Sequence, residues 1–175
     1  RLHFDPYHLE MIRMAKEKSF GKVKKLSAGF GFRISPNVWR LDKELAGGGP
    51  LMDLGIYCVQ AFCYVTDTTP ISVTAKEGAK NDMSRFAEVE QSVSWQFEMP
   101  NGIIAEGNTS YNDNMNFLKA ETDTGWFELQ SAFSYTGQRG STSSGAFSFS
   151  YVNQQAKQMD GFALAIAMNR PTPVP

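Results

Sequence analysis

Gly47-Gly48-Gly49-Pro50-Leu51-Met52-Asp53-Leu54-Gly55-Ile56-Tyr57 is the stretch on which the reading of this chain turns. Three glycines let the backbone approach a neighbour closely or take positive φ angles, and Pro50 then fixes the entry to a helix. Leu51, Leu54, Cys58, Phe62 and Val65 recur at helical spacing, so a helix is expected over 51–65, ended by Asp67 to Pro70. Asp53 falls in its first turn and Tyr57 four residues later, which puts both on one face. A carboxylate near a phenol can hydrogen-bond it, orient it and alter its proton affinity. Gly55 between them lowers helix propensity and points to close packing there. The residues alone leave a plainer alternative open, with Asp53 a dipole-favoured helix-start carboxylate and Tyr57 a core aromatic.

Upstream, the first twenty residues read as a helix capped by Asp5, with Pro6 at its first position. Leu9, Met11, Ile12 and Ala15 form its stripe, and Gly21 closes it. Lys22 to Ile34 alternates as a strand, with Phe30, Phe32 and Ile34 on one face. A long connection over 35–49 carries Trp39 and Arg40, and Lys43 and Glu44 read there as exposed loop.

Downstream, everything from Ile71 to Val152 reads as β. Ile71, Val73 and Ala75 alternate, as do Val93, Trp95, Phe97 and Met99. Pro100-Asn101-Gly102 turns the chain back through 103–110. Strands over 116–122 and 126–131 flank the turn Asp123-Thr124-Gly125, and Phe147, Phe149 and Tyr151 form another. The Gly/Ser-rich segment 138–145 reads as a mobile loop, and the spacing of Tyr111, Asn112 and Asn116 after a strand favours turn residues over polar site contacts. A last helix is expected over 155–168, broken by Asn169-Arg170-Pro171. Strands joined by short turns imply an α+β fold, a large, mostly antiparallel sheet with helices packed on one face. The other face is then solvated or covered, and the aromatic content (13 Phe, 6 Tyr, 3 Trp) makes a partner plausible.

The totals fit one soluble domain of 175 residues, 42% hydrophobic and 20% charged. A net charge of −1, with only the short cluster Lys22, Lys24, Lys25, sets nucleic acid aside as a partner. No stretch nears the roughly 20 apolar residues of a membrane span. Cys58 and Cys63 would point about 140° apart on a helix, against an internal disulfide. His3 and His8 do not share a helix face and have no ligand cluster around them. They read as solvated or capping residues, and no metal site is expected.

The glycine-proline-aspartate-tyrosine stretch resembles the central motif of the glucose–fructose oxidoreductase, inositol dehydrogenase and rhizopine-catabolism family. That motif runs Gly-Gly-Gly, a small or apolar pair, Asp, an apolar residue, Gly, an apolar residue, and His or Tyr. Asp5-Pro6 with the helix ending Lys18-Ser19-Phe20-Gly21-Lys22-Val23, Trp39-Arg40, Thr124 to Leu129, and Asn169-Arg170-Pro171 resemble further family landmarks. The resemblance implies a Rossmann domain followed by a glyceraldehyde-3-phosphate dehydrogenase-like α+β domain, whose open sheet face makes dimers or tetramers. Residues 1–175 would then be the single C-terminal substrate and oligomerisation domain, with the Rossmann domain outside this chain.

By the same resemblance, Asp53 would position hydroxyls of a sugar or cyclitol and Tyr57 would exchange a proton with the reacting oxygen. Hydride would pass to or from the nicotinamide of NAD or NADP. Tyr57 stands where the family has His or Tyr, and matches the glucose–fructose oxidoreductase branch better. Trp39, Arg40, Gly48 and Gly49 are the substrate- or cofactor-binding candidates, although a structural salt bridge would equally explain Arg40. The Gly-x-Gly-x-x-Gly fingerprint and the family's Glu-Lys-Pro motif are both absent, so this polypeptide alone is expected to be inactive. A non-catalytic sugar-binding or assembly module of the same fold is the alternative reading.

Overall fold

The computed structural model describes residues 1–172 and 174. Helix α1 (Pro6–Glu17) starts as its sequence indicates. The Asp5 carboxylate accepts the N–H groups of Tyr7 (2.9 Å) and His8 (3.2 Å), and Pro6 has no N–H to satisfy. Its end differs: Lys18, not Gly21, takes the left-handed conformation (φ 55°) that closes the helix. The buried stripe is also rotated, with Tyr7, Met11 and Met14 facing the core and Leu9 facing solvent.

Strand β1 (Val23–Gly31) lies in the middle of the sheet, and its ladder stops before Phe32, which is exposed. A short helix α2 (Lys43–Ala46) forms where a loop was expected, because the Asp42 side chain accepts the Leu45 N–H (3.1 Å). One turn of π-helix (Leu51–Gly55) then runs into helix α3 (Ile56–Thr66). Strands β2 (Ser72–Glu77), β3 (Ser92–Glu98), β4 (Ile104–Ser110), β5 (Met115–Thr122) and β6 (Trp126–Gln130) follow. Segment 138–145, expected to be a mobile loop, instead holds β7 (Arg139–Thr142) and the turn into β8 (Gly145–Phe147). The ladder ends at Phe147, so Phe149 and Tyr151 lie beyond the sheet. Helix α4 (Gln154–Ala167) begins at Asn153, whose side chain accepts the Ala156 N–H.

The strand order is β2-β3-β4-β1-β5-β6-β7-β8. Every neighbouring pair is antiparallel except β1 with β4. The chain leaves β1 through α3, reaches the edge at β2, and returns by two hairpins until β4 docks beside β1. That return gives the one parallel pair. This is the α+β architecture expected from the alternation of the strands.

The strands bury one face. Leu26 and Ala28, Val93, Trp95 and Phe97, Ala105, Leu118 and Ala120, and Phe127 and Leu129 pack against Met11 and Met14 of α1 and Cys58, Ala61, Phe62 and Val65 of α3. The opposite face is mainly polar: Ser94, Gln96 and Glu98 are exposed, and Lys25 pairs with Glu106 (2.8 Å) and Lys119 with Glu121 (3.3 Å). A smaller cluster of Ile34, Leu54, Phe86, Val89 and Tyr111 fills the end of the sheet under the 35–49 connection. The π turn sits between the two clusters, with Leu54 in the smaller and Cys58 in the larger. That double anchorage fixes the start of α3 in space.

Candidate active site

The connection into the site is shaped by two glycines with separate reasons. Gly47 takes φ 76°, a left-handed conformation that closes α2 without a Cβ clash. Gly49 lies against Glu90, and a Cβ there would stand 2.5 Å from the Glu90 carbonyl oxygen. The Glu90 carboxylate accepts the N–H of Gly49 (2.9 Å) and of Leu51 (3.2 Å), while Pro50 has none to offer. An anionic side chain thus satisfies the orphan donors of the π turn. Gly48 packs beside the Met52 side chain. Thr109 Oγ1 lies within hydrogen-bond reach of both Phe30 O (2.9 Å) and Pro50 O (3.0 Å), tying the turn to β1.

Asp53 projects from this turn with 29% of its side chain exposed, and Oδ2 carries two partners. The Tyr111 hydroxyl donates to it at 2.9 Å, and Arg40 Nε lies 3.1 Å away as an ion pair whose N–H is not aimed along the contact. The Arg40 guanidinium in turn stacks 4.7 Å from the ring of Trp39, itself 54% exposed. Burial, and then the hydrogen bond to Asp53, push the Tyr111 phenol above its ordinary range. The phenol that bonds Asp53 is therefore Tyr111 and not Tyr57.

Tyr57 stands on α3, edge-on to Phe30 (ring centroids 5.6 Å apart) and near Phe133 (6.2 Å). Arg1 covers it: the guanidinium is 5.4 Å from the Tyr57 ring centroid and 4.2 Å from that of Tyr135. Arg1 is held by hydrogen bonds to Phe133 O and to the Gln154 side chain (2.5 Å each). Asp53 and Tyr57 line one open cleft of about 390 Å³ together with Arg1, Ile56, Gln60, Gln155 and Gln158. A larger depression of about 760 Å³ lies between residues 33–41 and 82–88, but its charges are mixed and it contains neither Asp53 nor Tyr57.

The structure thus brings Asp53, Tyr57, Arg40 and Trp39 into one connected neighbourhood. Gly48 and Gly49 stay outside the cleft, and the Gly49 amide is committed to Glu90. Tyr111, which reads as a turn residue in preference to a polar site contact, lies at the candidate site, as do Arg1, Glu90 and three glutamines that the sequence does not single out. Tyr111 follows a strand, as turn residues do, and only the parallel pairing of β4 with β1 carries its ring under the 35–49 connection. Arg1 and the glutamines meet the site through tertiary contacts that leave no local pattern.

The histidines depart from expectation. His8 is 3% exposed, with its ring near Phe133 (6.0 Å), and His3 stands edge-on to Tyr64 at 4.0 Å. Cys58 and Cys63 are free thiols, and burial raises both above the usual thiol range. Among the described residues, no group of three or more His, Cys, Asp or Glu is placed to hold a metal ion. No described helix is long and apolar enough to cross a membrane.

Fold and site together define a two-layer α+β domain whose helix start presents an acid and a phenol to one cleft. The GFO/IDH/MocA C-terminal domain matches over residues 8–142, and the chain belongs to that family. It is similar to trans-1,2-dihydrobenzene-1,2-diol dehydrogenase of Xenopus tropicalis, 42% identical over 74 residues (42% of this chain and 22% of the relative). It is also similar to D-xylose 1-dehydrogenase [NADP(+)] of Haloarcula marismortui, 32% identical over 78 residues (44% of this chain and 21% of the relative). The crystal structure of aldose-aldose oxidoreductase from Caulobacter crescentus, complexed with glycerol, superposes with a TM-score of 0.93 at 32% identity. That superposition covers 99% of this chain and 54% of the other. The chain therefore spans about half the length of that enzyme, and its matches to the two dehydrogenases take in about a fifth of theirs.

Proposed function

We propose that this chain is the substrate-side domain of an NAD(P)-dependent oxidoreductase, acting with a dinucleotide-binding half on a hydroxyl or carbonyl of a sugar or cyclitol. The observation that carries the proposal is the shared cleft of Asp53 and Tyr57, rimmed by Gln60, Gln155, Gln158 and the guanidinium of Arg1. Carboxylate, phenol and amide groups at one opening suit a ligand rich in hydroxyls. The names of similar proteins, a D-xylose dehydrogenase and an aldose-aldose oxidoreductase, point to the same substrate class.

The residues fit the reacting end of a nicotinamide and not its phosphates. A helix start that binds phosphate offers free N–H groups. Here the N–H groups of Gly49 and Leu51 are taken by Glu90, so this turn is not a phosphate cradle. A bound nicotinamide supplies hydride donation or acceptance at carbon. Asp53 accepts a substrate hydroxyl and fixes its orientation, and the Tyr57 hydroxyl exchanges a proton with the reacting oxygen. Arg1 sets its guanidinium 5.4 Å from the Tyr57 ring centroid, at the rim of the same cleft. Oligomerisation through the open sheet face belongs to the same reading. The charged groups on that face are paired within the chain, Lys25 with Glu106 and Lys119 with Glu121, so no unpaired charge among these four opposes a second copy.

The test uses the full-length protein with NAD or NADP and a panel of aldoses, ketoses and cyclitols, read as nicotinamide absorbance. Turnover that is lost in Asp53→Ala, with binding of the dinucleotide retained, supports the reading. Saccharide binding with no redox change at any dinucleotide would identify a binding or assembly module instead. Light scattering on this chain is expected to show a dimer or larger, and a monomer at high micromolar concentration would remove the interface.

A further inference from the structure

We propose that Tyr111 is a positioning residue: its hydroxyl and Arg40 occupy Asp53 Oδ2 from behind, leaving Oδ1 as the atom that meets the ligand. The site therefore selects a ligand that presents a hydroxyl donor at that point. This rests on the cleft being the substrate site, and adds to it a residue and a direction of approach.

Three observations carry the inference. First, both partners of Asp53 converge on the same oxygen, Tyr111 at 2.9 Å and Arg40 Nε at 3.1 Å, and among the described residues none bonds Oδ1. A carboxylate has about four lone-pair sites, so a carboxylate filled on one oxygen still accepts on the other. Second, the Tyr111 ring cannot swing away. It is buried among Ile34, Leu54, Phe86 and Val89. Its own N–H donates to Gln91 O (2.9 Å), and its carbonyl accepts from the Ile34 N–H (3.0 Å). Third, the phenol is kept protonated by burial and by the carboxylate it bonds, so it acts only as a donor toward Asp53 across the neutral range. A hydroxyl group needs such an acceptor, whereas a carbonyl, ether or carboxylate brought to the same point would find no donor in Oδ1. Hydrogen bonds to charged groups are the stronger class, which makes the Tyr111 contact suited to fixing a carboxylate that would otherwise rotate.

Tyr111→Phe removes only the hydroxyl. In the full-length protein it is expected to lower kcat for the sugar about tenfold, as slight misplacement of a reacting group does, with the KM for the dinucleotide unchanged. A merely structural role would lower thermal stability and leave that split absent. A second readout needs no turnover. With tyrosines labelled at Cζ, the Tyr111 carbon-13 signal is assigned as the one that disappears in Tyr111→Phe. It should stand downfield of the solvent-exposed tyrosines and move upfield in Asp53→Asn. Wild-type kcat and KM in Tyr111→Phe, while Asp53→Ala is inactive, would overturn the positioning role and leave the site intact. An Asp53→Ala enzyme that still turns over would instead remove the site itself. A Tyr111 signal indifferent to Asp53→Asn would overturn the contact.

Discussion

Asp5 is where the fold should be most sensitive to a single side chain outside the site. Its carboxylate is buried and does two jobs. Oδ1 caps α1 through Tyr7 and His8, and Oδ2 accepts the side-chain amides of Gln138 (2.9 Å) and Gln154, joining the loop before β7 to the first residue of α4. Asp5→Ala removes a helix cap, about 1 kcal/mol. It also strands the Gln154 amide inside the protein, at about 1–3 kcal/mol, with a smaller loss at Gln138, which keeps Ser134 O as an acceptor (2.8 Å). The expected destabilisation is about 3–4 kcal/mol, a fall of roughly 10 °C in Tm for a chain of this length. Urea and thermal unfolding followed by circular dichroism measure it. Asp5→Asn should fall in between, because Asn keeps a cap oxygen but turns an amide toward two amides. A loss below about 1 kcal/mol for Asp5→Ala, or an Asp5→Asn variant as stable as wild type, would refute this accounting. Since Gln154 also holds Arg1, and α4 carries Gln155 and Gln158 to the cleft, the variant should loosen the site as well.

Gly49→Ala should cost about 1–3 kcal/mol by denaturant titration, because the added methyl meets the Glu90 backbone and overpacks the start of the site turn. Gly47→Ala meets open space but must adopt the left-handed φ, so its cost should be the smaller one. Alkaline unfolding should follow Tyr111. Its folded pKa lies above the ordinary 10.0, so the unfolded chain releases that proton first and stability falls as pH rises past about 10. In Tyr111→Phe the pH slope of stability above that point should be shallower, and an unchanged slope would count against the assignment.

The sheet was legible because alternation in β1, β3, β4, β5 and β6 marks a half-buried surface, and the turns between them carry Gly, Asn and Asp. The β7–β8 hairpin was not. Gly140 looks like a loop residue, yet it is a strand glycine because the Phe147 ring lies over it, where a Cβ would come within 2.2 Å. The same device recurs in Trp95 over Gly107 and Phe117 over Gly29, each pair directly opposite in register. An aromatic filling the space of a cross-strand glycine is a pairwise fact, invisible to a reading that takes one segment at a time. At the site, four-residue spacing puts Asp53 and Tyr57 on one face, but it was the resemblance of the Gly47–Tyr57 stretch to the family motif that singled them out. The π turn and the arrival of Tyr111 were not legible. Helical periodicity does not reveal one extra residue in a turn, and Tyr111 reaches Asp53 only after β4 pairs with β1 across almost 80 residues of chain.

Turnover of Tyr57→Phe in the full-length protein tests the central claim most directly. The variant should fold with a Tm close to wild type, since only a hydroxyl is removed, and should lose 10²- to 10⁴-fold in kcat, the range for losing an acid–base group. A Tyr57→Phe enzyme that reduces or oxidises its sugar at the wild-type rate would contradict the account.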